Sequence, residues 1–339
     1  MRRIVILVAV AILVAAGPAA AWPPEVETVT FPSPADRSPQ KTLLYLPPGD
    51  EPVPLLVAFH TWSGDYRQDE SPYAAWCIAR GWALLHPDLR GPATRPEAAG
   101  SEAAVADLEG ALALARARRA IDPDRIYAVG VSGGGMMALV AAARLPQTWA
   151  GASAWVPVTD LARWHADSKA RKNKYAGEIE KVCGGPPGQS AEVDAAYAAR
   201  SVERLLATGP PGCPLDINTG IHDGHTGSVP VGHAVRAYNA VAAPADRLSD
   251  AVIDELETTR AVPEAWRFEG ADPLHASRPV LLRKTSGPAR LTVFKGGHEI
   301  VHEAALTWLE AQARGQPPVW EVSPHDPPVI GRKAAASGK

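Results

Sequence analysis

The chain has 339 residues, 46% of them hydrophobic, and a formal net charge of −3. That length and apolar content suit one large domain with its own core and exclude a disordered chain. The near-neutral charge gives no basis for binding nucleic acid or an anionic membrane surface.

At the N-terminus, Arg2 and Arg3 precede an apolar run over residues 4–16, and Ala19-Ala20-Ala21 has the form of a cleavage site. Residues 1–21 are therefore expected to be a signal peptide, too short and wrongly flanked to span a membrane. The mature protein is expected to be secreted or periplasmic, with no stable membrane insertion after signal cleavage. Export permits disulfides. The three cysteines, Cys77, Cys183 and Cys213, leave at least one unpaired. Cys183 and Cys213 lie near Gly and Pro and could pair. Cys77 sits in a helical pattern and reads as a small buried apolar residue.

Residues 26–31 and 42–46 read as an antiparallel pair of strands, and the nearly continuous apolar run at 55–60 as a buried strand. A helix follows at 71–80, a strand at 83–86, and an alanine-rich helix to about 119 that Ser101 can cap. Strand 126–131, helix 135–144, strand 150–156, strand 215–219, strand 291–294 and a closing helix at about 299–313 complete the order. Strands alternating with helices predict a mostly parallel sheet covered on both faces. Two insertions interrupt it, at about 157–212 and 242–289, where open α/β sheets bind ligands, so both are candidate lids. The domain is expected over 22–315, with a Pro-rich tail over 316–339. Lys169, Arg171, Lys172 and Lys174 could steer an acidic substrate, or form an ordinary solvated helix face.

The chemistry centres on Gly130-Val131-Ser132-Gly133-Gly134, a G-x-S-x-G motif between a strand and a helix. A nucleophilic serine needs that sharp turn to expose its hydroxyl. The glycines remove side chains that would clash, and the helix N-terminus aims N–H groups at a developing oxyanion. The overlapping Gly133-Gly134-Gly135-Met136-Met137-Ala138 fit a relaxed G-x-G-x-x-A dinucleotide fingerprint. However, they lie outside the first βαβ unit, and no acidic residue ends a strand about 20 positions later.

"DPDRIYAVGVSGGG", "HPDLRGP" and "GIHDGHTGSVPVGHAVRAYN" resemble α/β-hydrolases of the prolyl-oligopeptidase/dienelactone-hydrolase-like group, which includes acetyl xylan esterases and related carbohydrate esterases. The resemblance extends over about residues 40–312. It implies an α/β-hydrolase fold, a mostly parallel eight-stranded sheet with helices on both faces and lid insertions, and a Ser, Asp, His triad in that order. The group's acid is followed by a short loop and Val-Pro; here that is Asp223 before Val229-Pro230. Asp223 also falls in the Gly-rich loop ending strand 215–219, where a carboxylate can orient an imidazole. Asp216 and Asp160 are alternatives, and His222 and His225 could bind metal with Asp223 or be ordinary loop histidines.

The general base is expected at His298. His298-Glu299-Ile300-Val301-His302 also spells H-E-x-x-H, a zinc-peptidase pattern that needs both histidines within one helix. Gly296-Gly297 before His298 instead predict a strand-to-helix turn, so no metal is expected, and Glu299 reads as a helix-start acid. The oxyanion donors are expected to be the N–H groups of Gly133 and Trp62, although Thr61 stands where the group usually has glycine. Asp88 and Arg90 are expected to brace their loop. Trp164 and His165 are candidate substrate-binding residues near the first insertion, with Trp155 serving either there or in the core.

These features predict an exported serine hydrolase cleaving carboxylic esters through an acyl-enzyme, without a cofactor, on a small-molecule or polysaccharide ester. A peptidase of the same group and a non-catalytic binding protein are the alternatives. The large peptidases of that group carry a gating β-propeller, which needs at least four blades of about 40 residues. Sheet, helices and insertions already occupy nearly all of 22–315. The only candidate acidic pair for a peptide N-terminus is Glu178 and Glu180.

Overall fold

The computed structural model describes residues 22–209 and 211–324. The expected signal peptide and residues 325–339 of the expected tail lie outside them.

One nine-stranded sheet organises the chain. Its strands are β1 (Glu27–Pro32), β2 (Pro39–Tyr45), β3 (Val53–Phe59), β4 (Ala83–Pro87), β5 (Ile121–Val131), β6 (Gly151–Trp155), β7 (Leu215–Gly220), β8 (Val280–Ser286) and β9 (Ala289–Phe294). They lie in the order β1-β2-β4-β3-β5-β6-β7-β9-β8. The central pairs from β4 through β9 are parallel. The β1–β2, β2–β4 and β8–β9 pairs are antiparallel.

The ninth strand corrects the expectation of eight. β8 lies inside the second insertion and is only half buried along VLLRKTS, so it lacks the continuous apolar run of a central strand. It pairs with β9 through a two-residue turn, Ser286 facing Ala289 across Gly287-Pro288. Gly287 adopts φ 54°, the sign that a tight hairpin turn requires at its first central residue.

Strand alternation explains why the core divides in two. Leu55, Val57 and Phe59 of β3 face one cluster, while Leu56 and Ala58 face the other. β5 does the same, with Ile126 and Ala128 against Tyr127 and Val129. A strand buried on both faces must be apolar at every position, hence the unbroken runs in the sequence. The larger cluster packs α2 (Glu102–Arg118), α3 (Gly133–Arg144) and α8 (Gly232–Val241); the smaller packs α1 (Ser71–Arg80) and α10 (His302–Glu310). Ser101 caps α2, accepting from Ala104 N at 3.1 Å.

The first insertion is helical rather than loop-like: α4 (Leu161–Ala170), α5 (Tyr175–Cys183), α6 (Ala191–Arg200) and α7 (Val202–Ala207). The second holds α9 (Asp250–Thr259), short 3-10 turns and β8. Cys77, Cys183 and Cys213 are separate buried thiols, so Cys183 and Cys213 are not paired. Burial raises Cys183 to about 11 and Cys213 to about 12, which keeps both as unreactive thiols at neutral pH. Among the described residues no helix is long and apolar enough to cross a membrane.

Candidate active site

The parallel strands deliver Ser132, Asp223 and His298 to one edge of the sheet. Ser132 follows β5, Asp223 follows β7, and His298 follows β9. This is the carboxyl edge, where open α/β sheets place their ligands.

Ser132 occupies φ 59° and ψ −118°, a backbone conformation that non-glycine residues rarely adopt. It is over-determined by its surroundings. Its N–H donates to Trp155 O of β6 at 2.8 Å, and its carbonyl accepts from Met136 N of α3 at 2.9 Å. A Cβ on Gly130 would lie 2.3 Å from the backbone of Gly134, so the strand and helix touch through the two glycines of the motif. Ser132 itself is only 5% exposed.

Asp223 and His298 are brought together. His298 Nδ1 lies 2.7 Å from Asp223 Oδ2. Asp223 Oδ1 accepts from Gly224 N at 2.8 Å and Val229 N at 3.2 Å, which fixes the carboxylate while its side chain is fully buried. The two loops are also laced by backbone, His222 N donating to Gly296 O at 2.9 Å. With Nδ1 held by the carboxylate, Nε2 is the nitrogen left to exchange a proton.

The rival carboxylates are committed elsewhere. Asp160 caps α4 through Arg163 N at 2.8 Å and accepts from Ser201 Oγ. Asp216 is buried in β7 against Arg290 at 2.8 Å. His225 Nε2 donates to Glu257 O at 2.6 Å. The two histidines of H-E-x-x-H do not share a helix. His298 precedes α10, whereas His302 opens it, half-buried and edge-on to Tyr73 at 5.1 Å, with its pKa lowered by desolvation. Glu299 forms an ion pair with Arg278 at 2.7 Å and accepts from Gly297 N at 3.0 Å.

Trp62 and Gly133 meet. A Cβ on Gly133 would sit 2.5 Å from Trp62 N, so only glycine lets the two N–H-bearing segments approach. Trp62 N has no acceptor among the described residues, as an oxyanion donor requires. Thr61 has a use for its side chain: its N and Oγ1 lie 3.0 and 2.8 Å from Gln68 Oε1. Gln68 Nε2 in turn donates to Glu70. The carbonyl of Trp62 accepts from Ala93 N at 2.9 Å, and His60 Nε2 reaches Asp88 O at 2.8 Å. Gln68 and Glu70 were not singled out in the sequence; nothing local marks them.

The aromatic expectation is corrected. Trp164 is fully buried in α4, its indole N–H donating to Ser228 O at 2.8 Å and its ring edge-on to Trp62 at 4.9 Å. It packs behind the Thr61–Trp62 loop and offers no face to a substrate. His165 is buried as well, 2.8 Å from Glu180. Trp155 is wholly in the core. Asp88 and Arg90 brace their loop separately. Asp88 accepts from Tyr66 N at 3.1 Å, while Arg90 bridges the buried Asp107 and Asp36 at 2.5 and 2.7 Å.

Known proteins agree with this architecture. No curated protein matches the chain. Solved structures do. A puromycin-hydrolyzing peptidase of Mycobacterium tuberculosis is 17% identical with a TM-score of 0.60, covering 92% of this chain and 43% of its own. An acylaminoacyl peptidase of Pyrococcus horikoshii is 16% identical with a TM-score of 0.52, covering 64% and 34%. An acetyl xylan esterase from Paenibacillus sp. R4 is 19% identical with a TM-score of 0.56, covering 88% and 87%. The chain thus spans less than half the length of these peptidases, and at such identities the likeness is one of fold. The sequence profile of the prolyl oligopeptidase family matches residues 70–255, more than half of the chain and including the Ser132 turn and the Asp223 loop, so this chain belongs to the prolyl oligopeptidase family.

Proposed function

We propose that the protein is an esterase of short acyl groups, with Ser132 as nucleophile, His298 as general base and Asp223 as its orienting carboxylate. His298 Nε2 takes the hydroxyl proton as Ser132 attacks the acyl carbonyl. The N–H groups of Gly133 and Trp62 hold the oxyanion, and His298 returns the proton to the leaving alcohol. Water then attacks the acyl-enzyme by the same route in reverse order. The observation that carries the reading is the His298–Asp223 pair at 2.7 Å behind a strained serine turn.

Two features favour esters over peptides. The cavity beside the proposed oxyanion donors, lined by Trp62, Gly133, Met136 and Met137, holds about 20 Å3. That is close to the space of one water or methyl group. The acidic pair considered for a peptide N-terminus is already engaged: Glu178 with Trp62 Nε1 at 3.0 Å and Lys174 at 3.2 Å, Glu180 with His165. Export is part of this proposal, on the signal-peptide pattern of residues 1–21, and an acetylated polysaccharide is the proposed substrate class.

The test is a substrate panel on purified protein. Turnover of p-nitrophenyl acetate and acetylated sugars is expected to exceed that of butyrate and longer esters and of proline-containing chromogenic dipeptides, and Ser132→Ala is expected to abolish it. A higher kcat/KM on the dipeptides than on every ester would make the protein a peptidase. Failure of a fluorophosphonate to label Ser132 would remove the catalytic reading.

A further inference from the structure

A second cavity, of about 400 Å3, lies beyond the His298–Asp223 pair, between the end of β7, the start of β8 and the second insertion. Its volume is within the range of small-molecule sites. Its floor is apolar, with Ile221 and Val262 buried and the Phe268 ring half-buried. Its rim carries Arg260, Arg267, Lys295 and His222, and no carboxylate lines it.

Neighbouring arginines hold acids: Arg278 pairs with Glu299, Arg283 with Asp272, and Arg290 with Asp216. Arg260, Arg267 and Lys295 form no ion pair among the described residues. Arg260 also ends α9 at φ 56°, a left-handed position where glycine or asparagine is usual. Three unpaired cations gathered over an apolar floor create a local positive field in a chain whose formal net charge is −3. The complementary ligand has an anionic head for the guanidinium forks and an apolar body for Phe268 and Val262. Inorganic anions satisfy only the first condition, and neutral lipids only the second.

The cavity is also tied to the proposed catalytic loops. Its His222 precedes Asp223, and its Lys295 lies three residues before His298. The bond from His222 N to Gly296 O joins the two walls. We propose that this cavity is a binding site for an amphipathic organic acid, a carboxylate on an aryl or alkyl body, distinct from the pocket that receives the scissile acyl group.

Calorimetric titration of the full chain carrying Ser132→Ala tests this independently of the esterase reading, because the probes are not esters and the nucleophile is absent. The probes are 4-phenylbutyrate, its neutral amide and inorganic phosphate. Saturable 1:1 binding of phenylbutyrate is expected, with the amide and phosphate each at least about tenfold weaker, since a charge-assisted hydrogen bond contributes about that factor. Adding Arg267→Gln and Lys295→Gln is expected to weaken phenylbutyrate at least about tenfold. Both side chains are exposed, so an unchanged thermal midpoint is expected to accompany the loss. Equal binding of acid and amide, phosphate binding as tightly as phenylbutyrate, unaltered affinity in the double-cation variant, or no binding at millimolar probe would each overturn the proposal.

Discussion

Glu70 stands at the start of α1, buried, and supports the loop of the proposed oxyanion donor Trp62 through Gln68 and Thr61. Burial is the main cause that raises its carboxyl from 4.5 to about 7; the Gln68 hydrogen bond opposes this and the Asp69 charge adds to it. At about 1.4 kcal/mol for each tenfold change in proton affinity, holding the ionised form in this site costs about 3 kcal/mol. The penalty has a definite pH window. Below about pH 4.5 the carboxyl is protonated in both folded and unfolded chains, and no penalty exists. As pH rises the unfolded chain ionises first, stability falls until pH reaches about 7, and above that the loss is constant. Glu70→Gln keeps an acceptor for Gln68 Nε2 and removes the charge. The variant is therefore expected to be more stable than the parent by about 3 kcal/mol at pH 8, and by close to nothing at pH 4. Urea unfolding of both proteins at pH 4, 6 and 8 measures this difference directly. A stability difference that did not change with pH, or a variant less stable than the parent at pH 8, would refute the burial argument.

Four further outcomes follow from the site. Asp223→Asn is expected to lower kcat by about 10⁴-fold, because the amide no longer fixes the imidazole tautomer. Asp160→Asn, at the cap of α4, is expected to leave kcat nearly intact and cost at most about 1 kcal/mol in unfolding titrations; reversed effects would move the acid to the earlier loop. EDTA is expected to leave ester hydrolysis unchanged, since His298 is held by Asp223 and His302 is packed on Tyr73; zinc-dependent recovery after chelation would contradict this. Gly130→Ala would place a methyl 2.3 Å from the backbone of Gly134, which has no flexible side chain to move aside, so a loss of ~3 kcal/mol is expected from thermal or urea melts.

The readable parts of the sequence were those where one local demand dominates. G-x-S-x-G is visible because strand, turn and helix each constrain adjacent residues, and Gly130, Ser132 and Gly134 carry that constraint together. The central strands are visible because burial on two faces forces apolar runs. β8 escaped because an edge strand is buried on one side only, although its Gly287-Pro288 turn was a usable signal. Trp164 was misjudged for a related reason. Its neighbours His165, Asp167 and Lys169 suggest a polar loop, yet α4 turns it inward against Trp62 and Tyr175 while Lys169 stays outside.

What no local pattern could reveal is how the loop of the proposed oxyanion donor is held. The amide of Trp62 must stay aimed without glycine beside it to shape the turn, and three distant groups supply the missing restraint. Gln68 grips Thr61, Ala93 N holds the Trp62 carbonyl, and Glu178 of α5 accepts the Trp62 indole N–H across 116 positions of sequence. Lys174 Nζ adds a bond to Ser63 Oγ at 2.8 Å. The first insertion is therefore more than a cover. It contacts the same residue whose backbone is the proposed oxyanion donor, so any displacement of α5 must break the Trp62–Glu178 bond. Preorganised donors lower a barrier only if they do not have to be reoriented during the reaction. In this fold that rigidity comes from side chains of the insertion and of the segment before α1 and from the Ala93 amide, standing in for the glycine turn that resembling hydrolases use.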